Sequence, residues 1–473
     1  MRDQPKKVLL SRFLISLLHY GGVPSEFFLG LLSSALEEIE TCVTDRNVAI
    51  KVVKNHSELD DYDLLLTMLD AGVPLCEPYL QYRLKDIITE KYKVLQEGKI
   101  PISNTYFLRG TADPTGTLSL NQVCVVSDEG QLSGDVLLYK YPGLHSSDIY
   151  KLQAVCLPEW EEIVGDSKYG IFFSTAGPCS LVDKMVNNNS GGDVYWVSQN
   201  PELLKKFTPS LPRLAPEENM SKKDSEQHIP SNMKKDEVES CEPSYAIGTA
   251  ADCWLACMDH VLTCNLLGEE ARNIMETKME QLVNIYDDAL DAAKTVKKVQ
   301  VPNCLLVDLY PHFMDQKPKE KTYHSTSILG EIYDKVESFK SKMQKLQLIK
   351  MPLPSYRVVQ KSCMDKWGYH FDQYLTEMSQ VVGSVSDKNV SDINKTYQEV
   401  IDKYKEILYG GVKEFKRSTR LNFEIYDEAC AIYKLDYDKT CEMRMAGYCW
   451  FAWHVAGEAL CELCQLSRLG FII

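Results

Sequence analysis

An asparagine- and glycine-rich turn that runs directly into an apolar strand constrains this chain most. Asn187-Asn188-Asn189-Ser190-Gly191-Gly192 permits left-handed backbone torsions and close approach of a ligand. Asp193 follows, then the β-forming run Val194-Tyr195-Trp196-Val197, closed by Pro201. One carboxylate therefore stands where loop meets strand. The surrounding residues 101–200 alternate turns with short apolar runs. Gly110 to Leu118 contains an Asp-Pro-Thr-Gly turn signal, and Val123 to Val126 and Val136 to Tyr139 read as short strands. Dense turns between short strands suit a compact barrel.

The flanks have a different period. Leu10, Phe13, Leu14, Leu17 and Leu18 recur at helical spacing, Gly21-Gly22-Val23-Pro24 ends that helix, and Ser25 caps the next. Helical patterns return from Tyr245: Ala246 to Leu267, Ala271 to Lys298, and a stripe from Ile393 to Leu408 capped by Ser391 or Asp392. A last helix spans about Met445 to Leu466. Between barrel and helices, residues 208–243 combine Pro209, Pro212, Pro216 and Pro230 with Ser, Lys, Glu and Asp. Such a segment buries too little apolar surface to offset its ordering entropy and reads as a disordered linker. The expected organisation is 1–100 helical, 101–207 β-rich, 208–243 linker and 244–473 helical. The fold class is mixed α/β.

The 473 residues, 44% of them apolar, suffice for two or three packed domains. No stretch approaches eighteen uninterrupted apolar residues, so no membrane span is expected. Leu9 to Leu18 is interrupted by Arg12 and reads as a buried helix rather than a signal peptide. Sixteen scattered cysteines suit reduced thiols in the nucleus or cytoplasm. Cys461-Glu462-Leu463-Cys464 is a lone C-x-x-C without a second ligand pair, and Cys253 and Cys257 read as core thiols. A net charge of −15 argues against nucleic acid coating the whole surface, though not against a local basic channel.

Three segments in order carry a family resemblance: Lys140-Tyr141-Pro142-Gly143-Leu144-His145, Lys168-Tyr169-Gly170-Ile171-Phe172-Phe173, and Ser190-Gly191-Gly192-Asp193. They resemble the cellular RNA-dependent RNA polymerases of RNA silencing, most closely the plant branch with a D-F-D-G-D loop. Ser11 to Pro24, Tyr245-Ala246-Ile247-Gly248, Tyr286 to Thr295, Tyr310-Pro311-His312-Phe313 and Ser327-Ile328-Leu329-Gly330 resemble further segments of that family. The resemblance starts almost at Met1, which implies that the upstream part of the polymerase is missing. It implies a double-psi β-barrel-like catalytic region flanked by helical segments, the larger one C-terminal. It also implies conversion of single-stranded RNA to double-stranded RNA for siRNA production, with nucleoside triphosphates as substrates, magnesium as cofactor and silencing-pathway proteins as possible partners.

The loop departs from the family pattern. S-G-x-D-F-D-G-D is shortened by about four residues, and one aspartate stands where three are expected. Two-metal nucleotidyl transfer needs converging carboxylates. Asp193 is therefore either a residual catalytic and magnesium ligand or a turn residue beside Gly192; the weak hold of one monodentate ligand favours the turn. By resemblance Lys140 faces the nucleotide or the primer end, the alternative being a solvated strand-end lysine. His145 is either a ligand contact or a hydrogen-bonded core histidine. Lys184 either compensates in part for basic residues replaced by Ala176 and Cys179, or is solvated. The expected outcome is weak or no polymerisation by the chain as written. The alternative is a catalytically inactive RNA-binding or partner-binding relative, or the product of a decayed or mis-spliced gene.

Overall fold

A computed structural model describes residues 8–56, 61–128, 130–160, 169–177, 194–210, 243–263, 268–295, 299–315, 319–342, 359–383, 390–442 and 449–469. The chain divides into two compact units, one of Met1–Ala35 with Lys93–Phe339 and one of Leu36–Tyr92 with Lys340–Ile473. The elements in chain order begin with helices α1 Arg12–Tyr20, α2 Ser25–Thr41, α3 Arg46–Lys54, α4 Tyr62–Ala71 and α5 Pro78–Gln96. Strands follow: β1 Thr105–Ala112, β2 Gln122–Ser127, β3 Gly130–Gln131, β4 Gly134–Tyr141, β5 Ile149–Ala154, β6 Gly170–Phe173 and β7 Val194–Ser198. Then come α6 Pro201–Lys206, α7 Pro243–Thr263, α8 Glu269–Thr295, the short pair β8 Tyr310–Pro311 and β9 Thr322–Tyr323, and α9 Ile328–Lys342. The last helices are α10 Lys361–Gly383, α11 Val390–Tyr409, α12 Asn422–Glu442 and α13 Trp450–Arg468.

In the first unit β2, β5, β4, β7, β1 and β6 pair in that order, and β6 returns to β2 to close a six-stranded barrel. Two of the six pairings, β1 with β6 and β2 with β5, are parallel. The strands form where period-two alternation sends one side chain in two inward. Leu108, Val123, Val125, Val136, Leu138, Leu152, Ala154, Ile171, Phe173, Tyr195 and Val197 make one buried core. Leu137, Tyr139 and Trp196 point the other way and are also buried, so β4 and β7 are covered on both faces. The turn after β1 is held by Asp113, which accepts from Thr115 N (2.7 Å) and Leu118 N (2.9 Å). Burial alone would raise its pKa, but these hydrogen bonds outweigh it and hold the carboxyl below its ordinary range. The β-rich character of the region and its Asp-Pro-Thr-Gly turn are thus as the sequence implies.

Helix α1 also follows its local signals. Ser11 Oγ accepts from Leu14 N at 3.2 Å, Leu14, Ile15, Leu17 and Leu18 are buried, and Gly22 takes φ 98° as the helix ends. In the second unit α10, α11, α12 and α13 bury Trp367, Phe371, Tyr374, Tyr404 and Phe451. Buried Glu428 accepts from Arg420, Lys366 and the Trp367 indole at 2.8–3.0 Å. Helix α11 begins at Val390, so Ser391 and Asp392 sit inside its first turn rather than capping it. Among the described residues no helix is long and apolar enough to cross a membrane. Residues 211–242 of the expected linker lie outside the described residues.

Candidate functional site at the barrel mouth

Lys140 lies near the end of β4, on the same face as Val136 and Leu138, and so projects from the interior row at the barrel mouth. It is half-buried. β7 starts opposite it: Lys140 pairs with Tyr195 and Tyr141 with Val194. Asp193, like Lys184, lies outside the described residues, but it immediately precedes the Tyr141–Val194 pairing. Across β7, Val194 also pairs with Arg109 of β1. Arg109 is exposed on the outer face, in the same row as Phe107, whose ring meets Tyr141 edge-on at 5.6 Å. Sequence reasoning passed over Arg109, Phe107 and Tyr141. The alternation of Leu108 inward with Phe107 and Arg109 outward is the signal that could have found them.

The turn after Lys140 is held by local hydrogen bonds. Tyr141–Pro142 is a cis peptide. The Tyr139 hydroxyl donates to Gly143 O at 2.5 Å and accepts from Gly143 N at 3.1 Å. A Cβ at Gly143 would fall 2.6 Å from Asp148 Oδ2 and 2.8 Å from the Lys140 carbonyl oxygen, so glycine is required. His145 caps the short 3₁₀ turn Ser146–Asp148: its Nδ1 accepts from Ser147 N at 3.1 Å, and its own N–H donates to Asp148 Oδ2 at 2.8 Å. The imidazole thus shapes the turn that presents Lys140. Beyond β6, Ser174 Oγ donates to Leu118 O at 2.7 Å and accepts from Ala176 N at 3.1 Å. Ala176 therefore supplies a backbone contact and no cation, while Cys179 lies outside the described residues.

The described residues alone do not make the donor set of a two-magnesium centre. Of the described carboxylates around the mouth, Asp113 holds its own turn and Asp148 holds the His145 turn. Asp193 would add one carboxylate, and paired metals need several converging ones. Elsewhere in the first unit His312, His324 and Asp334 cluster, with each histidine Nε2 3.0–3.1 Å from an Asp334 oxygen. Their rings stack at 4.4 Å and only 9° apart, so their in-plane lone pairs run side by side instead of converging on one ion. Ser325 N also donates to His312 Nδ1 at 3.0 Å, which leaves the proton on Nε2, pointing at Asp334. The cluster is a hydrogen-bonded clamp. Cys461 and Cys464 both lie on α13, and burial raises both thiols, Cys464 to about 11, so the C-x-x-C offers no thiolate pair. Cys253 and Cys257 are buried core thiols.

The family assignment rests on matches that span this architecture. Residues 1–336, which include the whole barrel, match the family model of RNA dependent RNA polymerase. The chain belongs to the RNA-dependent RNA polymerase family. Residues 333–469 match the model of the head domain of these RNA-dependent RNA polymerases. The chain is 41% identical over 483 residues to the probable RNA-dependent RNA polymerase 3 of Oryza sativa subsp. japonica, covering 99% of this chain and 41% of that protein. It is 38% identical over 480 residues to the probable RNA-dependent RNA polymerase 5 of Arabidopsis thaliana, covering 97% and 47%. It thus spans less than half the length of these curated relatives. The structure of the RNA-dependent RNA polymerase QDE-1 from Thielavia terrestris superposes with a TM-score of 0.58 at 14% identity, over 98% of this chain and 57% of that one, and shares the fold.

Proposed function

We propose that this chain carries the barrel part of an RNA-directed RNA polymerase that copies single-stranded RNA into double-stranded RNA for siRNA production. The supporting observation is the pairing of Lys140 and Tyr141 with the first residues of β7, directly after Asp193, at the mouth of a closed six-stranded barrel. In this reading Lys140 offers a point charge to a phosphate of the template or of a nucleoside triphosphate. Its backbone is held by the Tyr139–Gly143 clasp, and His145 acts through the turn it caps. Lys184 adds positive charge near the loop, and Asp193 is the residual carboxylate. Segment 208–243 is a linker between the β-rich 101–207 and the helical 244–473. The free thiols of the described cysteines support a reducing compartment, nucleus or cytoplasm.

A second reading has its own observation. The loop holds one aspartate, and the described carboxylates beside the mouth are engaged in turns. The chain as written therefore polymerises weakly or not at all and serves as an RNA-binding or partner-binding member of its family. Ribonucleotide incorporation on single-stranded RNA with magnesium separates the two. Little or no incorporation, unchanged by Asp193→Ala, is the expected result. Robust synthesis abolished by Asp193→Ala would overturn the inactive reading.

A further inference from the structure

The second unit contains a cavity of about 780 Å³, within the range typical of small-molecule sites, roughly 300–1,000 Å³. Its wall is aromatic. Trp450 and His454, one helical turn apart on α13, stack at 5.1 Å and 19°, and Tyr397 of α11 meets His454 edge-on at 6.1 Å. The polar part is built and held. Arg83 donates to both oxygens of buried Asp61 at 2.6 and 2.7 Å, and the Tyr79 hydroxyl donates to Asp61 Oδ2 at 2.6 Å. Because Tyr79 gives its proton to Asp61, its oxygen accepts from His454 Nε2 at 3.3 Å, which leaves His454 Nδ1 as an acceptor. Burial keeps this imidazole neutral by lowering its pKa to about 4.

Two features point to an occupant. The buried hydroxyls of Tyr397 and Tyr409, both in the cavity wall, have no hydrogen-bond partner of good geometry among the described residues. Asn394 and Gln398 add amide groups at the rim, and Arg83 and Asp61 neutralise each other. Lys405, Asp63 and Glu458 also stand in the wall, Glu458 accepting from Phe415 N at 2.8 Å, so the lining offers both donors and acceptors around its rings, as the edge of a flat heteroaromatic group requires.

We propose that this cavity binds a nucleobase, presented by a free ribonucleotide or by single-stranded RNA, packed against Trp450, His454 and Tyr397. Base–aromatic stacking supplies the apolar part, and the Tyr397 hydroxyl, His454 Nδ1 and the rim amides read the base edge. The choice of a nucleobase over other flat heteroaromatics rests on the RNA-directed function proposed above.

The test is calorimetric titration of the full chain with guanosine and adenosine monophosphates, with ribose 5-phosphate as the baseless control, and with a single-stranded RNA 12-mer. Saturable binding of at least one nucleotide, but not of ribose 5-phosphate, is expected. Tyr397→Phe, which removes only the hydroxyl and keeps the ring, should weaken that binding about fivefold while the chain remains folded. Asn394→Trp, at an exposed rim position, should block the cavity and abolish binding. RNA that competes with the nucleotide and loses affinity in Asn394→Trp identifies the strand as the source; nucleotide binding without RNA competition identifies the free nucleotide. Equal binding of ribose 5-phosphate, no saturable nucleotide binding, or affinity indifferent to both cavity variants would overturn the proposal. Nucleotide binding lost only in Lys140→Ala would place the site at the barrel, overturning this inference and leaving the barrel reading intact.

Discussion

The barrel and the second unit are both well filled, yet they treat carboxylates in opposite ways. The barrel's buried core, from Leu108 to Val197, is apolar, and among the described residues its acids lie outside that core, Asp113 and Asp148 in turns and Asp135 exposed on β4. The second unit buries acids among aromatic rings. Glu77 accepts from the Trp453 indole at 2.8 Å and from Leu80 N at 2.8 Å, Asp436 from Ala452 N at 2.8 Å, and Glu428 from two cations and an indole. A closed barrel satisfies its backbone groups strand to strand and presents only every second side chain inward, so an apolar interior needs no polar partner. Packed helices leave irregular gaps, and a carboxylate in such a gap is tolerated only where donors converge on it. The polar chemistry of the barrel is therefore concentrated at its mouth, while that of the helical unit lies within.

The largest test of this contrast is to hollow the barrel. Phe173 is fully buried and meets Tyr195 at 4.8 Å, so Phe173→Ala should cost about 3–5 kcal/mol in urea unfolding. A loss below about 1 kcal/mol would show that the core is not close-packed. Next, Arg83→Ala should cost about 3 kcal/mol, because it leaves Asp61 buried without its guanidinium, whereas exposed Arg109→Ala on the barrel should stay within about 0.5 kcal/mol. Similar costs for the two arginines would erase the distinction between the regions.

The third test is pH. Burial raises Glu77 to about 7 and, together with the nearby Glu77 charge, Asp436 to about 7. Between about 4, the ordinary carboxylate value, and about 7 the folded unit keeps protons that the unfolded chain releases. Its stability should thus be highest at the acid end of that window, fall by several kcal/mol up to pH about 7, and level off above. Asp113 has the opposite sign: its lowered pKa adds stability to the barrel above the ordinary carboxylate range, which is lost as pH falls. Hydrogen exchange followed segment by segment should show the two regions moving in opposite directions, and Glu77→Gln should flatten the response of the second unit. Parallel pH responses would contradict the assignment. The smallest effect concerns the mouth. Lys140→Ala should weaken single-stranded RNA binding by a few-fold, about 0.5–1 kcal/mol, and reduce its salt dependence by roughly one phosphate contact. Unchanged affinity would make Lys140 a solvated strand-end lysine.

Much of the barrel was legible along the chain. Val123 to Val126, Val136 to Tyr139 and Val194 to Val197 all became strands, because alternation and turn chemistry are local properties. The Asp113 turn was readable for the same reason. Helix ends were less so: Ser391 and Asp392 look like caps, but α11 starts earlier, at Val390, where the helix pattern is extended. At the candidate site Lys140 and His145 stood out by motif, yet nothing in the spacing said that His145 Nδ1 would cap Ser147 or that Arg109 would pair across from the residue after Asp193. Those facts depend on strand register and on which atoms burial leaves available.

Sequence alone determined the periodicities, the turn residues, the single aspartate of the loop and the ordered motifs that mark the polymerase family. Each is written in neighbouring residues and needs no knowledge of distant ones. Only tertiary structure decided that β6 returns to β2 to close the barrel and that two strand pairs run parallel. It also decided that Asp61 and Arg83 meet His454 and Tyr397 around one cavity, although these residues lie far apart in the chain. Closure, burial and the choice of hydrogen-bond partner are set by packing between remote segments, and the free energy of each contact exists only once both sides are in place.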